Sequence, residues 1–136
     1  MADKSATLRW SGEALSFEAH GYGGPPITLD SASVEGPSPM DALLVSVAGC
    51  MAIDVLMILR KSRVRVDALE VEVEGDRADA EPRRFVAIRL VYRVKGPGEE
   101  DEGRLQRAIE LSREKYCSVL HSLHPQIDLD IRVERA

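Results

Sequence analysis

Two cysteines, Cys50 and Cys117, are the residues of this chain whose types and setting could do chemistry. Cys50 lies inside the apolar run that begins at Pro39-Met40-Asp41-Ala42 and ends at Ala48-Gly49-Cys50-Met51-Ala52-Ile53-Asp54, and Cys117 follows a second helical pattern in Glu114-Lys115-Tyr116-Cys117-Ser118-Val119. Thiols carried on separate helices serve one of two ends. They are small buried hydrophobes, the common fate of a free cysteine, or they form a redox pair. In a pair, a thiol oxidised to sulfenic acid is condensed by the second thiol to a disulfide before further oxidation. Asp54 stands one turn beyond Cys50 on the same helical face. A carboxylate there opposes thiolate formation unless a cation intervenes, and from sequence Asp54 reads as the helix partner of a buried arginine rather than as a catalytic acid.

Other chemistries find little support. His121 and His124 follow Cys117 closely, but no CxxC or HExxH spacing accompanies them, so no metal and no cofactor is expected. Gly21, Gly23 and Gly24 precede neither a lysine-bearing motif nor a helix start, so they make no phosphate loop. Met40, Met51 and Met57 read as packing. A net charge of -5 and the absence of a basic block argue against nucleic acid and anionic lipid as partners. The start, Met1-Ala2-Asp3-Lys4-Ser5-Ala6, lacks the apolar core of a signal peptide. The expectation is a cytoplasmic protein whose thiols are reduced at rest or cycle.

The elements that must hold the thiols can be read from periodicity. Alternation over Ala6–Trp10 and Leu15–Ala19 about the turn Ser11-Gly12-Glu13 is a hairpin, and Ile27–Leu29 adds a short strand. Ser38 then caps a helix from Pro39 to about Lys61, with Pro39 at its first position and Asp41 near the positive end of its dipole. That helix is apolar nearly all round. Its length admits a membrane span, but Asp54 within it and strand patterns on both flanks favour a core helix. Cover on every side calls for more surface than this short chain supplies, so a second copy is expected. Two strands follow, Leu69–Val73 and a run within Arg84–Lys95, joined as a hairpin through Asp76–Pro82. A helix with apolar positions Leu105, Ala108, Ile109, Ser112 and Tyr116, a helical turn Ser118–His124 and a last strand Ile127–Val133 complete a single domain over residues 1–136.

The two cysteine motifs, with Ser38-Pro39-Met40-Asp41 at the helix start, resemble those of the OsmC/Ohr family, the osmotically inducible and organic hydroperoxide resistance proteins. The resemblance covers essentially the whole chain and is nearest to the YhfA-like branch. It implies an α+β, OsmC-like fold with antiparallel sheets wrapped around a long central helix, two subunits intertwined as a homodimer, and active sites at the interface. It further implies reduction of organic hydroperoxides, Cys50 matching the peroxidatic thiol and Cys117 the resolving one, with an external dithiol as reductant. A non-catalytic relative binding a small hydrophobic ligand at the interface is the alternative. Where the family peroxidases carry a glutamate that orients a thiolate-stabilising arginine, this chain has Met40. Asp41 is adjacent but about 100° round the helix, and Arg9, in the first hairpin, is the nearest cation for the arginine's part. Activity is therefore expected to be weak near neutral pH and to rise in alkali.

Overall fold

The computed structural model describes residues 2–135. The chain forms two compact units, one up to Leu43 and one from Leu44 onward. In the first, β1 (Thr7–Trp10), β2 (Ser16–His20) and β3 (Ile27–Asp30) make an antiparallel sheet in that order. Asp30, buried at its end, accepts hydrogen bonds from the backbone N–H groups of Glu35, Ala32 and Val34. These bonds favour its carboxylate and lower its pKa.

Helix α1 runs Pro39–Lys61, the expected span. Its start is fixed locally: the Asp41 N–H donates to Ser38 Oγ at 3.1 Å, and Ser33 Oγ donates to the Asp41 carboxylate at 2.9 Å. After Lys61 the chain turns through Arg63 at a left-handed φ of 59°, and the Val64 N–H closes back on the Leu59 carbonyl.

The second sheet has the order β4 (Ala68–Arg77), β5 (Phe85–Lys95), β6 (Asp128–Arg135). The expected antiparallel pairing holds for β4 with β5, whereas β6 joins β5 in parallel. Direction follows from connection length. A short loop can only fold a strand back on itself, but the segment from β5 to β6 carries helices and can return the chain to the same end of the sheet. That segment holds a 3₁₀ turn (Glu99–Asp101), α2 (Glu102–Leu111), a π-turn (Ser112–Tyr116) and α3 (Ser118–His121). Strand β5 alternates strictly: Ile88, Leu90, Tyr92 and Val94 are buried, while Arg89 and Arg93 face the acidic side chains of Glu74, Asp76, Glu72 and Glu134. These exposed pairs, screened by water, add little, so the sheet is held mainly by its buried face. The core of this unit combines that face with Val47, Met51, Val55 and Leu59 of α1 and Leu105, Ala108 and Ile109 of α2.

Candidate functional site

Cys50 sits at mid-length on α1, half-buried, with Asp54 one turn on. Cys117 arrives by a different route. The helix expected to run through to Tyr116 stops being an α-helix at Leu111, and the next turn is wider: the Cys117 N–H donates to the Ser112 carbonyl, five residues back, at 2.8 Å. At Cys117 the backbone becomes extended, with φ -72° and ψ 96°, before α3 begins. Its sulfur accepts the Leu120 N–H at 3.3 Å, capping that short helix, and the residue is fully buried.

The result is a compact cluster. The two Sγ atoms and an Asp54 carboxylate oxygen all lie within 4.8 Å of one another. The sequence expectation for Asp54 is corrected here, because the partner that holds it is Ser112, not an arginine: Ser112 Oγ donates to Asp54 Oδ2 at 3.0 Å. Ser112 is buried, and read on sequence it was one more position on the apolar face of a helix. Its hydroxyl, unable to reach water, finds a carboxylate acceptor, a bond worth roughly 1.5–3 kcal/mol because one partner is charged.

Electrostatics at the cluster favour neutral Cys117. Burial is the largest cause, and the neighbouring Cys50 and Asp54 add to it against the opposing Leu120 N–H, so the Cys117 thiol is pushed up to about 11. Tyr92, fully buried on β5, faces the same groups: burial and then the charges of Cys117 and Asp54 raise its pKa, and its hydroxyl has no hydrogen-bond partner among the described residues. Ser112 and Tyr92 are the members of this site that the sequence did not disclose. The Ser112 contact has no local signal at all. Tyr92 alternates with the buried residues of β5, which gives its face but not its neighbours.

The remaining expected residues lie elsewhere. His121 Nε2 bonds the Arg113 carbonyl at 3.0 Å and His124 Nδ1 accepts the Gln126 N–H at 3.1 Å, so both rings are engaged in local turns. Two thiols and one carboxylate are one protein donor short of a closed structural metal site. Met40 occupies the first turn of α1, half-buried, and Arg9 is exposed on β1.

Beside the cluster, Asp54 lines a cavity of about 190 Å³ with Met57, Ile58, Lys61 and Tyr116. A larger groove of about 450 Å³ lies along α1 and β4, lined by Val45, Gly49, Ile53, Leu56, Leu69 and Val71 among other apolar residues.

Comparison with known proteins gives a consistent picture. A family model described as OsmC-like protein matches residues 31–132. Protein YhfA of Escherichia coli K12 is 38% identical over 125 residues, which cover 91% of this chain and 92% of that one. A crystal structure of a protein from Aquifex aeolicus VF5 has a TM-score of 0.85 at 33% identity, covering 100% of this chain and 98% of its own. That of the organic hydroperoxide resistance protein OhrB of Bacillus subtilis has a TM-score of 0.64 at 13% identity, covering 98% and 100%, a likeness of fold.

Proposed function

Since the chain belongs to the OsmC family, we propose that it reduces organic hydroperoxides by a two-cysteine redox cycle, with Cys50 as the peroxidatic thiol and Cys117 as the resolving one. One observation carries the reading: two cysteines remote in sequence have their sulfurs within 4.8 Å, one half-exposed and the other buried. Two inert core cysteines have no need to meet. A sulfenic acid formed on Cys50 would find its resolving thiol beside it, and a disulfide bond of about 2.05 Å needs only a short approach of the two sulfurs. The structural relative OhrB, an organic hydroperoxide resistance protein, agrees with the substrate class. An external dithiol then restores both thiols by exchange, which suits a soluble protein of the reducing cytoplasm. The family match runs from residue 31 to 132, from the end of the first compact unit through most of the second, and residues 1–136 are read as one OsmC-like domain.

The test is one equivalent of tert-butyl hydroperoxide added to the reduced protein, followed by peptide mapping. A Cys50–Cys117 disulfide should form in the wild type; Cys50→Ser should not react, and Cys117→Ser should leave a sulfenic acid on Cys50 that dimedone traps. Equal, slow modification of both thiols without a disulfide would return them to a packing role.

The working unit is a homodimer. Along α1, Val45, Ile53 and Met57 are 63%, 61% and 52% exposed, an apolar stripe that water disfavours at roughly 25 cal/mol per Å². The groove between this stripe and β4 gives a second copy a surface to cover. Ile53→Asp is expected to produce monomers or aggregates by light scattering, whereas a wild type that stays monomeric at low micromolar concentration would exclude the dimer. The same groove favours a second reading, a carrier of a small hydrophobic ligand. That reading requires a ligand to be bound equally well by Cys50→Ser.

A further inference from the structure

Resting on the peroxidase reading, we infer that Asp54 is the acid–base group of the cycle, serving both thiols in turn from one position. Its carboxylate oxygen lies within 4.8 Å of both the Cys50 and the Cys117 sulfur, and the Tyr92 phenol that faces the same groups is held neutral by burial. Ser112 Oγ holds one of its oxygens at 3.0 Å, so the carboxylate is fixed in place rather than free to swing away. It also borders the small cavity with Met57, Ile58, Lys61 and Tyr116, which offers room for an alkyl group beside the carboxylate. The groups that face Asp54 are thus Cys50 on its own helix, Lys61 one helical stretch further, Ser112, Tyr116 and Cys117 from the π-turn and the residue after it, and the Tyr92 phenol from β5.

The chemistry balances over two halves. In the first, the Cys50 thiol gives its proton to Asp54, and its sulfur attacks the terminal oxygen of the hydroperoxide. An S–O bond forms and the O–O bond breaks; sulfur loses two electrons, the peroxide gains them, and Asp54 returns the proton to the departing alkoxide, which leaves as an alcohol. In the second, the Cys117 thiol gives its proton to Asp54 and its sulfur attacks the sulfenic sulfur. The S–S bond forms, the S–OH bond breaks, and Asp54 delivers the proton to the departing hydroxide, which leaves as water. Asp54 begins and ends each half as a carboxylate. The second half needs it most, because Cys117 is buried and neutral and ionises poorly unaided.

Asp54→Asn separates this role from support of the π-turn, since the amide oxygen still accepts the Ser112 hydroxyl. With rapid quenching after tert-butyl hydroperoxide, the variant is expected to accumulate sulfenic acid on Cys50 and to close the disulfide roughly 10²-fold more slowly near neutral pH, the usual loss for a general base. Alkaline pH should restore the variant toward the wild-type rate, as Cys117 then ionises without help. Asp54→Glu, which retains a base, should keep at least about a tenth of the rate. An Asn variant as fast as wild type overturns the proposal. So does equal loss in Asn and Glu with no recovery in alkali, which would make Asp54 a structural prop. A wild type that forms no disulfide at all would sink the peroxidase reading and take the relay with it, so the two failures are told apart.

Discussion

Cys50 and Cys117 come within reach of each other by opposite local means. Cys50 is carried by an uninterrupted α-helix whose start is capped and whose sequence is apolar throughout, and it remains half-open. Cys117 stands where a helix has widened into a π-turn and then stopped, wholly buried, with its sulfur tied to the Leu120 N–H. A regular helix places a side chain by periodicity alone and can leave it open to a substrate. A π-turn shifts the register by one residue, here directing Ser112 to Asp54 and Cys117, the residue after the turn, to Cys50. Under the peroxidase reading the difference divides the labour. The accessible thiol is the one a hydroperoxide can reach, and the enclosed one is protected from bulk oxidants and can react only with its neighbour.

The largest effect should therefore appear in native-state alkylation. With each thiol tested alone, in Cys117→Ser and in Cys50→Ser, iodoacetamide should label Cys50 faster than Cys117 by roughly 10²-fold or more, because labelling the buried thiol requires a local opening. Mass spectrometry of the time course measures it. Comparable rates would erase the contrast between the two settings.

A smaller effect sharpens the account of Cys117. Its folded-state pKa lies above the ordinary thiol value of 9.0, at about 11, so the folded protein holds its proton where the unfolded chain has lost it. The stability this contributes is fully present below pH 9.0 and is lost as pH rises toward about 11. Urea titrations across that window should show a decline in wild type and a shallower one in Cys117→Ala. Tyr92, also raised, leaves a residual decline of the same sign at higher pH.

These two settings also show what the sequence discloses. Helix α1 is written locally: Ser38 and Pro39 start it, an unbroken apolar run carries it, and the structure follows to the residue at Lys61. The strands were equally legible, since β4 and β5 alternate and turn residues separate them. That Cys50 and Cys117 belong together came from motif resemblance, not from periodicity. The π-turn, the Ser112–Asp54 bond and the parallel entry of β6 were not legible, because each depends on which distant element a segment meets. Leu105–Tyr116 keeps helical spacing to its end, so nothing local marks the break. The buried arginine expected beside Asp54 was a sound inference from charge alone, and a hydroxyl met the same need.

The smallest effect concerns Tyr92, the neutral group behind the pair. Its phenol is fully buried, with no hydrogen-bond partner among the described residues, while the Cys117 sulfur has the Leu120 N–H and Asp54 has Ser112. Burying an unsatisfied hydroxyl costs about 1–3 kcal/mol, and removing it while keeping the ring recovers part of that cost. Tyr92→Phe is therefore expected to stabilise the reduced protein by about 1 kcal/mol, seen as a higher urea midpoint with an unchanged slope. The ring fills the same space, so packing is preserved and the sign of the change is informative. A destabilised variant would mean that the hydroxyl gains a partner in solution, and a variant of unchanged stability whose disulfide forms more slowly would place that partner among the charges that develop on Cys117 during resolution.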